Sequence, residues 1–163
     1  MLTPMVISVL AVDPSTKSPI MILKEIRGER TLPIWIGILE AHAIASELEG
    51  IKLSRPMTHD LFKNILELLD IEVNRIEISD LKSNTYYALI YFTHKGDEIS
   101  IDARPSDAIA LSLRFKAPIY VAEEVINKSV QIDFKVEPAD KSEQEKRWKE
   151  ILKKLDPEDL GKA

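Results

Sequence analysis

The chain has 163 residues, 45% of them apolar, a net charge of −5 and no cysteine. This is enough for one domain with a sizeable core, and it excludes disulfides, thiolate metal sites and a cysteine nucleophile. The negative balance argues against a non-specific nucleic-acid binder, so any phosphate recognition needs a local cluster, for which Arg55, Arg104 and Arg114 are the candidates.

In chain order, Met5 to Val12 and Ile20 to Ile26 are two β-branched runs around the turn-rich Asp13–Pro19, a predicted hairpin. Thr31 to Gly37 reads as a third strand, whose Pro33 requires an edge or an irregularity. A helix is predicted over 39–49, ended by Gly50, with Ala41, Ile44, Ala45 and Leu48 as its apolar arc and Glu40 as a first-turn acid. Thr58 is the expected N-cap of a second helix, 58–70, in which Leu61, Ile65, Leu68 and Leu69 keep helical spacing and predict a buried face. His42 and His94 are expected to face solvent.

Strands follow near Glu72 to Leu81 and Thr85 to Thr93, the second apolar on both faces over Tyr86–Phe92 as a strand covered on both sides would be. After a turn at His94–Asp97, Ile99, Ile101 and Ala103 alternate with Glu98, Ser100 and Asp102, so the apolar set is expected to face a core. Pro105 suits the first turn of a third helix, 105–116, apolar almost all round, with Asp107 and Arg114 on one narrow stripe. Its free N–H groups and dipole favour an anion such as phosphate. A short strand at Ile119–Ala122 precedes Glu123 and Glu124, which open a final turn or helix.

A further strand is expected at 130–136. Beyond it, Trp148, Ile151, Leu152 and Leu155 stand at helical spacing in a charged tail. The division is therefore a domain over 1–136 and an amphipathic segment over 137–163. The fold class is α+β: a mixed, mainly antiparallel sheet or partly closed barrel packed by three helices. Leu53-Ser54-Arg55-Pro56 echoes Asp102-Ala103-Arg104-Pro105, since each puts Arg-Pro just before a helix with an aspartate in its first turn, Asp60 or Asp107. No apolar run is long enough for a membrane span and the N-terminus does not read as a secretory signal, so a cytoplasmic protein off the membrane is expected.

Several of these segments together resemble one family. They are Leu32-Pro33-Ile34-Trp35-Ile36-Gly37 with Glu40-Ala41, Leu48-Glu49-Gly50, Arg55-Pro56 with Thr58-His59-Asp60-Leu61, Thr85 with Tyr87-Ala88, and Ile101-Asp102 with Arg104-Pro105-Ser106-Asp107-Ala108-Ile109-Ala110-Leu111. They resemble the bifunctional nuclease domain of bacteria, archaea and plants over roughly Val6 to Val125, and the Arg-Pro-Ser-Asp-Ala-Ile-Ala string is the most specific part. In size the chain is similar to a small single-domain member from a hyperthermophilic bacterium, and its 30% of charged residues fits a thermophile. Some members degrade both RNA and DNA. The resemblance therefore implies a nuclease, a hydrolase acting on the phosphodiester bonds of RNA or DNA, but it carries no catalytic assignment.

Residue roles follow from the chemistry instead. Phosphodiester cleavage needs an activated nucleophile, charge neutralisation and a proton for the leaving oxygen. Asp102, Asp107, His59 and Glu40 are the candidate catalytic groups. Arg55, Arg104 and Arg114 are the candidate phosphate clamps. Asp60, Asp102 and Asp107 are the candidate ligands for Mg²⁺ or Mn²⁺, with Glu40, Glu123 and Glu124 as further carboxylates. Each has a structural alternative: Asp107 complements a helix dipole, Arg104 pairs with Asp102 or Asp60, His59 packs. The second functional reading is a non-enzymatic module binding an anion or a protein. A homodimer is expected because sheet edges and an amphipathic tail both need cover.

Overall fold

The computed structural model describes residues 1–130, together with 146 and 150. The expected strand at 130–136, apart from Val130, and most of the charged segment lie outside the described residues. Seven strands form one open sheet in the order β3-β2-β1-β7-β4-β5-β6. They are β1 (Leu2–Val12), β2 (Pro19–Glu25), β3 (Thr31–Trp35), β4 (Glu72–Lys82), β5 (Thr85–His94), β6 (Asp97–Ala103) and β7 (Ile119–Ala122), with helices α1 (Ile38–Leu48), α2 (Thr58–Leu68), α3 (Pro105–Phe115) and α4 (Glu123–Lys128). The fold is α+β, as expected. Of the two sheet forms expected, the open sheet is the one present, and α4 adds a short fourth helix at Glu123-Glu124.

Five of the described strand pairs are antiparallel and only β4–β7 is parallel. A parallel pair needs a long crossover, and here the crossover contains β5, β6 and α3, which places α3 on the sheet. The β4–β5 hairpin turns on Ser83-Asn84 and the β5–β6 hairpin on Lys95-Gly96. All four residues have positive φ, as the two-residue turns that match strand twist demand. Pro33 lies in β3, an edge strand, where a missing N–H is tolerated. One main core joins Leu23, Leu32, Ile44, Ile76, Ile78, Phe92, Ile109 and Val121, and α3 lies at its centre with Ala108, Ile109 and Ala110 out of water.

Six expectations need correction, and five concern how far cover extends. Helix α3 packs on β4 and β5, one strand short of the β6 edge, so Ile99 and Ile101 are exposed instead of facing a core. β5 is buried on one face only: Ala88, Ile90 and Phe92 are inside, while Tyr87 is exposed on the other. Along α2 only Leu66 is buried, and Leu61, Ile65, Leu68 and Leu69 lie open. Its N-cap is Met57, not Thr58, because the Asp60 carboxylate accepts the Met57 N–H at 3.0 Å. The histidines are not solvent-facing. His42 is 7% exposed, and His94 is half-buried with Nδ1 out of water and unbonded among the described residues. Leu48, expected in the α1 arc, is exposed. Among the described residues no helix is long and apolar enough to cross a membrane.

Arg30, in the β2–β3 turn, donates to both oxygens of Glu123 at the start of α4, at 2.8 and 3.0 Å, and Thr3 of β1 also donates to Glu123. The Arg30 bonds, then that of Thr3, hold the Glu123 pKa down to about 2 from an ordinary 4.5. A depressed carboxylate contributes stability that is present above the ordinary value and lost as pH falls toward the folded one. The Tm advantage of the wild type over Arg30→Ala is therefore expected to be full above pH 4.5 and to shrink steadily toward pH 2, as measured by thermal unfolding across that range. A constant difference would show that the pair does not titrate with the fold.

Candidate active site

Glu40, Asp60 and Asp107 each occupy the third position of a helix, counted from the caps Gly37, Met57 and Arg104. Carboxylates are favoured in first turns by free N–H groups and the helix dipole, so each acid is locally explained. The tertiary fold adds something the local rule does not supply: the first turns of α1, α2 and α3 meet at one cleft of about 610 Å³. Three positive helix ends facing one cavity make a setting for an anion.

Arg104 sits between two of the acids. Its Nε lies 2.7 Å from Asp107 Oδ2 and one terminal nitrogen 3.1 Å from Asp107 Oδ1. The other terminal nitrogen lies 2.8 Å from Glu40 Oε1. His59 Nε2 lies 2.9 Å from Asp107 Oδ1. Burial pushes the Asp107 pKa up, but the hydrogen bonds from Arg104 and His59 outweigh it and hold the carboxyl below its ordinary 3.8. Asp107 is thus charged at neutral pH, and it faces an imidazole on one side and a guanidinium on the other.

Arg114 has a different environment. Its side chain is 5% exposed, with Nε 2.7 Å from Asp60 Oδ1 and a terminal nitrogen donating to the carbonyls of Ala43 and Ala110 at 3.2 and 2.9 Å. It ties α1, α2 and α3 together beneath the cleft. Burial raises the Asp60 pKa, and the bonds from Arg114 and the Met57 N–H overcome this and lower it. Arg55 lines the cleft and is exposed, and among the described residues it pairs with no carboxylate.

The expected residues therefore divide. Glu40, His59, Asp60, Asp107, Arg55, Arg104 and Arg114 all line the cleft. Asp102 does not: it is exposed on β6, opposite Leu89 of β5. Glu123 is held by Arg30, and Glu124 is exposed beside Lys128. Asp60, Asp102 and Asp107 are thus not brought together. Among the described residues no group of three histidine, aspartate or glutamate side chains is placed to hold a metal ion. With Asp60 committed to Arg114 and Asp107 to Arg104, these residues do not fit a preformed Mg²⁺ or Mn²⁺ centre.

Several cleft residues were not anticipated. Lys52 also meets no carboxylate among the described residues. Lys63, which pairs with Glu67 at 3.3 Å, lies one helical turn after His59, a spacing that puts both on one side of α2. Buried His42 lines the same space, its Nδ1 3.5 Å from Ser46 Oγ, with burial lowering its pKa so that it stays neutral.

The family described as the Bifunctional nuclease domain matches residues 21–133, a span that contains every cleft residue. An uncharacterized protein of Mycobacterium tuberculosis is 36% identical over 156 residues, 93% of each chain. Bifunctional nuclease 1 of Oryza sativa subsp. japonica is 29% identical over 112 residues, 67% of this chain and 34% of the rice protein. Bifunctional nuclease 1 of Arabidopsis thaliana is 26% identical over 107 residues, 63% and 33% of the two chains. The matched part is about a third of each plant protein's length. With most of its sheet, all four helices and the whole cleft inside the matched span, the chain belongs to the bifunctional nuclease domain family.

Proposed function

We propose that the cleft binds the phosphodiester backbone of RNA or DNA and cleaves it by attack of water. The observation that carries this reading is the His59–Asp107–Arg104 chain at the meeting point of three helix N-termini. A carboxylate bonded to one imidazole nitrogen fixes ring orientation and tautomer and stabilises the imidazolium formed when the ring takes a proton. With Nε2 donating to Asp107, Nδ1 is the acceptor that takes a proton from water as its oxygen attacks phosphorus; the P–O bond to the leaving oxygen then breaks and the imidazolium returns that proton to the leaving oxygen. A site acting on both RNA and DNA does not depend on the ribose 2′-hydroxyl as nucleophile. Arg104, whose side chain is more than half exposed, and Arg55 neutralise charge on the phosphate. The cleft lining carries five cations, Lys52, Arg55, Lys63, Arg104 and Arg114, against the four carboxylates Glu40, Glu47, Asp60 and Asp107, a slight local excess of positive charge in a chain of net charge −5.

The test is purified protein on end-labelled RNA and single-stranded DNA of one sequence, compared with Arg55→Ala and Arg104→Ala purified identically. Mg²⁺ commonly enters such sites with substrate phosphate and one or two carboxylates, so the assay runs with Mg²⁺, with Mn²⁺ and with EDTA. Cleavage by the wild type is expected, with Arg55→Ala raising KM and Arg104→Ala lowering kcat/KM. Equal cleavage by all three proteins would assign the activity to a contaminant. Saturable binding without turnover under every condition would favour an anion-binding module.

A further inference from the structure

The ion pairs around Arg104 occupy one border of the cleft wall that α1 supplies, and the rest of that wall has a different chemistry. At about 3.6 residues per turn, the α1 residues that line the cleft run across the helix surface in the order His42, Ser46, Leu39, Ala43, Glu47, Glu40. Glu40, at one border, holds Arg104. His42 is at the other, with the apolar Leu39 and Ala43 between. Ile51, Leu53 and Met57, from the segment joining α1 to α2, line the same space. A phosphate gains nothing from an apolar wall, whereas a nucleobase lays its flat face against one and is read along its polar edge.

The His42 ring is placed to meet such an edge. It is 7% exposed, so its polar atoms are costly to leave without partners. Ser46 donates its one hydroxyl hydrogen to the His42 carbonyl oxygen at 2.7 Å, so Nδ1 meets a lone pair of Ser46 Oγ at 3.5 Å. This assigns the ring proton to Nδ1 and leaves Nε2 an acceptor. Among the described residues Nε2 makes no hydrogen bond, and it is not sealed from solvent as His94 Nδ1 is, so it opens onto the cleft that the ring lines. Burial lowers the pKa of the ring, which keeps it a neutral acceptor.

On the phosphodiester reading of the cleft, on which this subsite rests, we propose that His42 Nε2 determines base specificity by accepting a hydrogen bond from the exocyclic amino group of cytosine or adenine. The nucleotide concerned is the one whose phosphate meets Arg104, with its base against the apolar strip of α1. Cytosine N4 and adenine N6 carry N–H donors. Uracil and thymine set a carbonyl oxygen at the corresponding place, lone pair against lone pair. The wrong base is then penalised by leaving a buried acceptor unpaired.

Calorimetric titration with CMP, UMP and ribose 5-phosphate tests this with probes that share a phosphate, the first two also sharing a ring size. CMP is expected to bind about 3-fold to 10-fold more tightly than UMP, the contribution of one hydrogen bond. His42→Leu, which keeps an apolar side chain in the wall, should bring CMP to the level of UMP and leave ribose 5-phosphate unchanged, while Arg104→Ala should weaken all three alike. A second readout needs no change at His42: in the wild type the Nε2 resonance of His42 should move with CMP and not with ribose 5-phosphate, and the chain has only three histidines to assign. Equal binding of CMP and UMP that depends on Arg104, with the His42 resonance unmoved, would overturn the subsite and leave the phosphate reading intact. No binding of any probe, or binding indifferent to Arg104→Ala, would overturn the phosphodiester reading and the subsite with it.

Discussion

Asp107→Asn is expected to lower kcat for phosphodiester cleavage by about 100-fold to 10,000-fold, the range for losing an oriented general base, with little change in KM. Asparagine is nearly the same size and keeps a polar group in the first turn of α3, so the helix start survives. What it lacks is the charge that fixes the His59 tautomer and stabilises the imidazolium. Arg104 loses one carboxylate partner but keeps Glu40 at 2.8 Å, so the phosphate clamp stays near its place. Steady-state kinetics and thermal unfolding on the same preparation separate the two possibilities: a kcat loss with Tm nearly unchanged is the expected result, and parallel loss of both would make Asp107 a structural anchor.

Arg114→Ala is expected to have the largest effect on stability, about 2–4 kcal/mol. Removing one partner of a buried pair costs roughly 3–5 kcal/mol, reduced here because Asp60 is partly in water, while the Ala43 and Ala110 carbonyls also lose their donor. For a chain of this size that corresponds to a fall in Tm of about 5–15 °C, read by calorimetry or circular dichroism. Arg114→Lys should recover little of it, since one ammonium does not reproduce the forked contacts to Asp60 and two carbonyls. A Tm within about 2 °C of wild type would show that the three helices are held together without this strut.

The candidate site was legible in the sequence to the extent that it is built from local signals. First-turn acids at Glu40, Asp60 and Asp107 and two Arg-Pro pairs upstream of helices are short-range patterns, and the cleft uses all of them. Which arginine met which acid was not readable, because Arg104 and Arg114 are both near α3 and only the packing of α1 and α2 assigns Glu40 to one and Asp60 to the other. Asp102 was misplaced into this group because sequence adjacency to Arg104 says nothing about which side of an edge strand faces the helices. The strands and their turns were readable from alternation and from Gly, Pro and Asn, but cover was not. Periodicity shows that Leu61, Ile65 and Leu68 share a face, and that Ile99 and Ile101 share another, without saying whether anything lies against it. His42 is the converse case, a polar residue carried into the cleft wall by the burial of Ala41 and Ala45 around it.

A double-mutant cycle tests most directly whether the His59–Asp107 pair is the centre of a nuclease. Wild type, His59→Ala, Asp107→Asn and the double variant are assayed on the same labelled RNA and DNA. If the two side chains act as one unit, the double variant is no slower than the slower single variant, because removing either already removes the oriented base. Losses that multiply, single variants as fast as wild type, or a wild type that cleaves neither substrate would contradict the assignment.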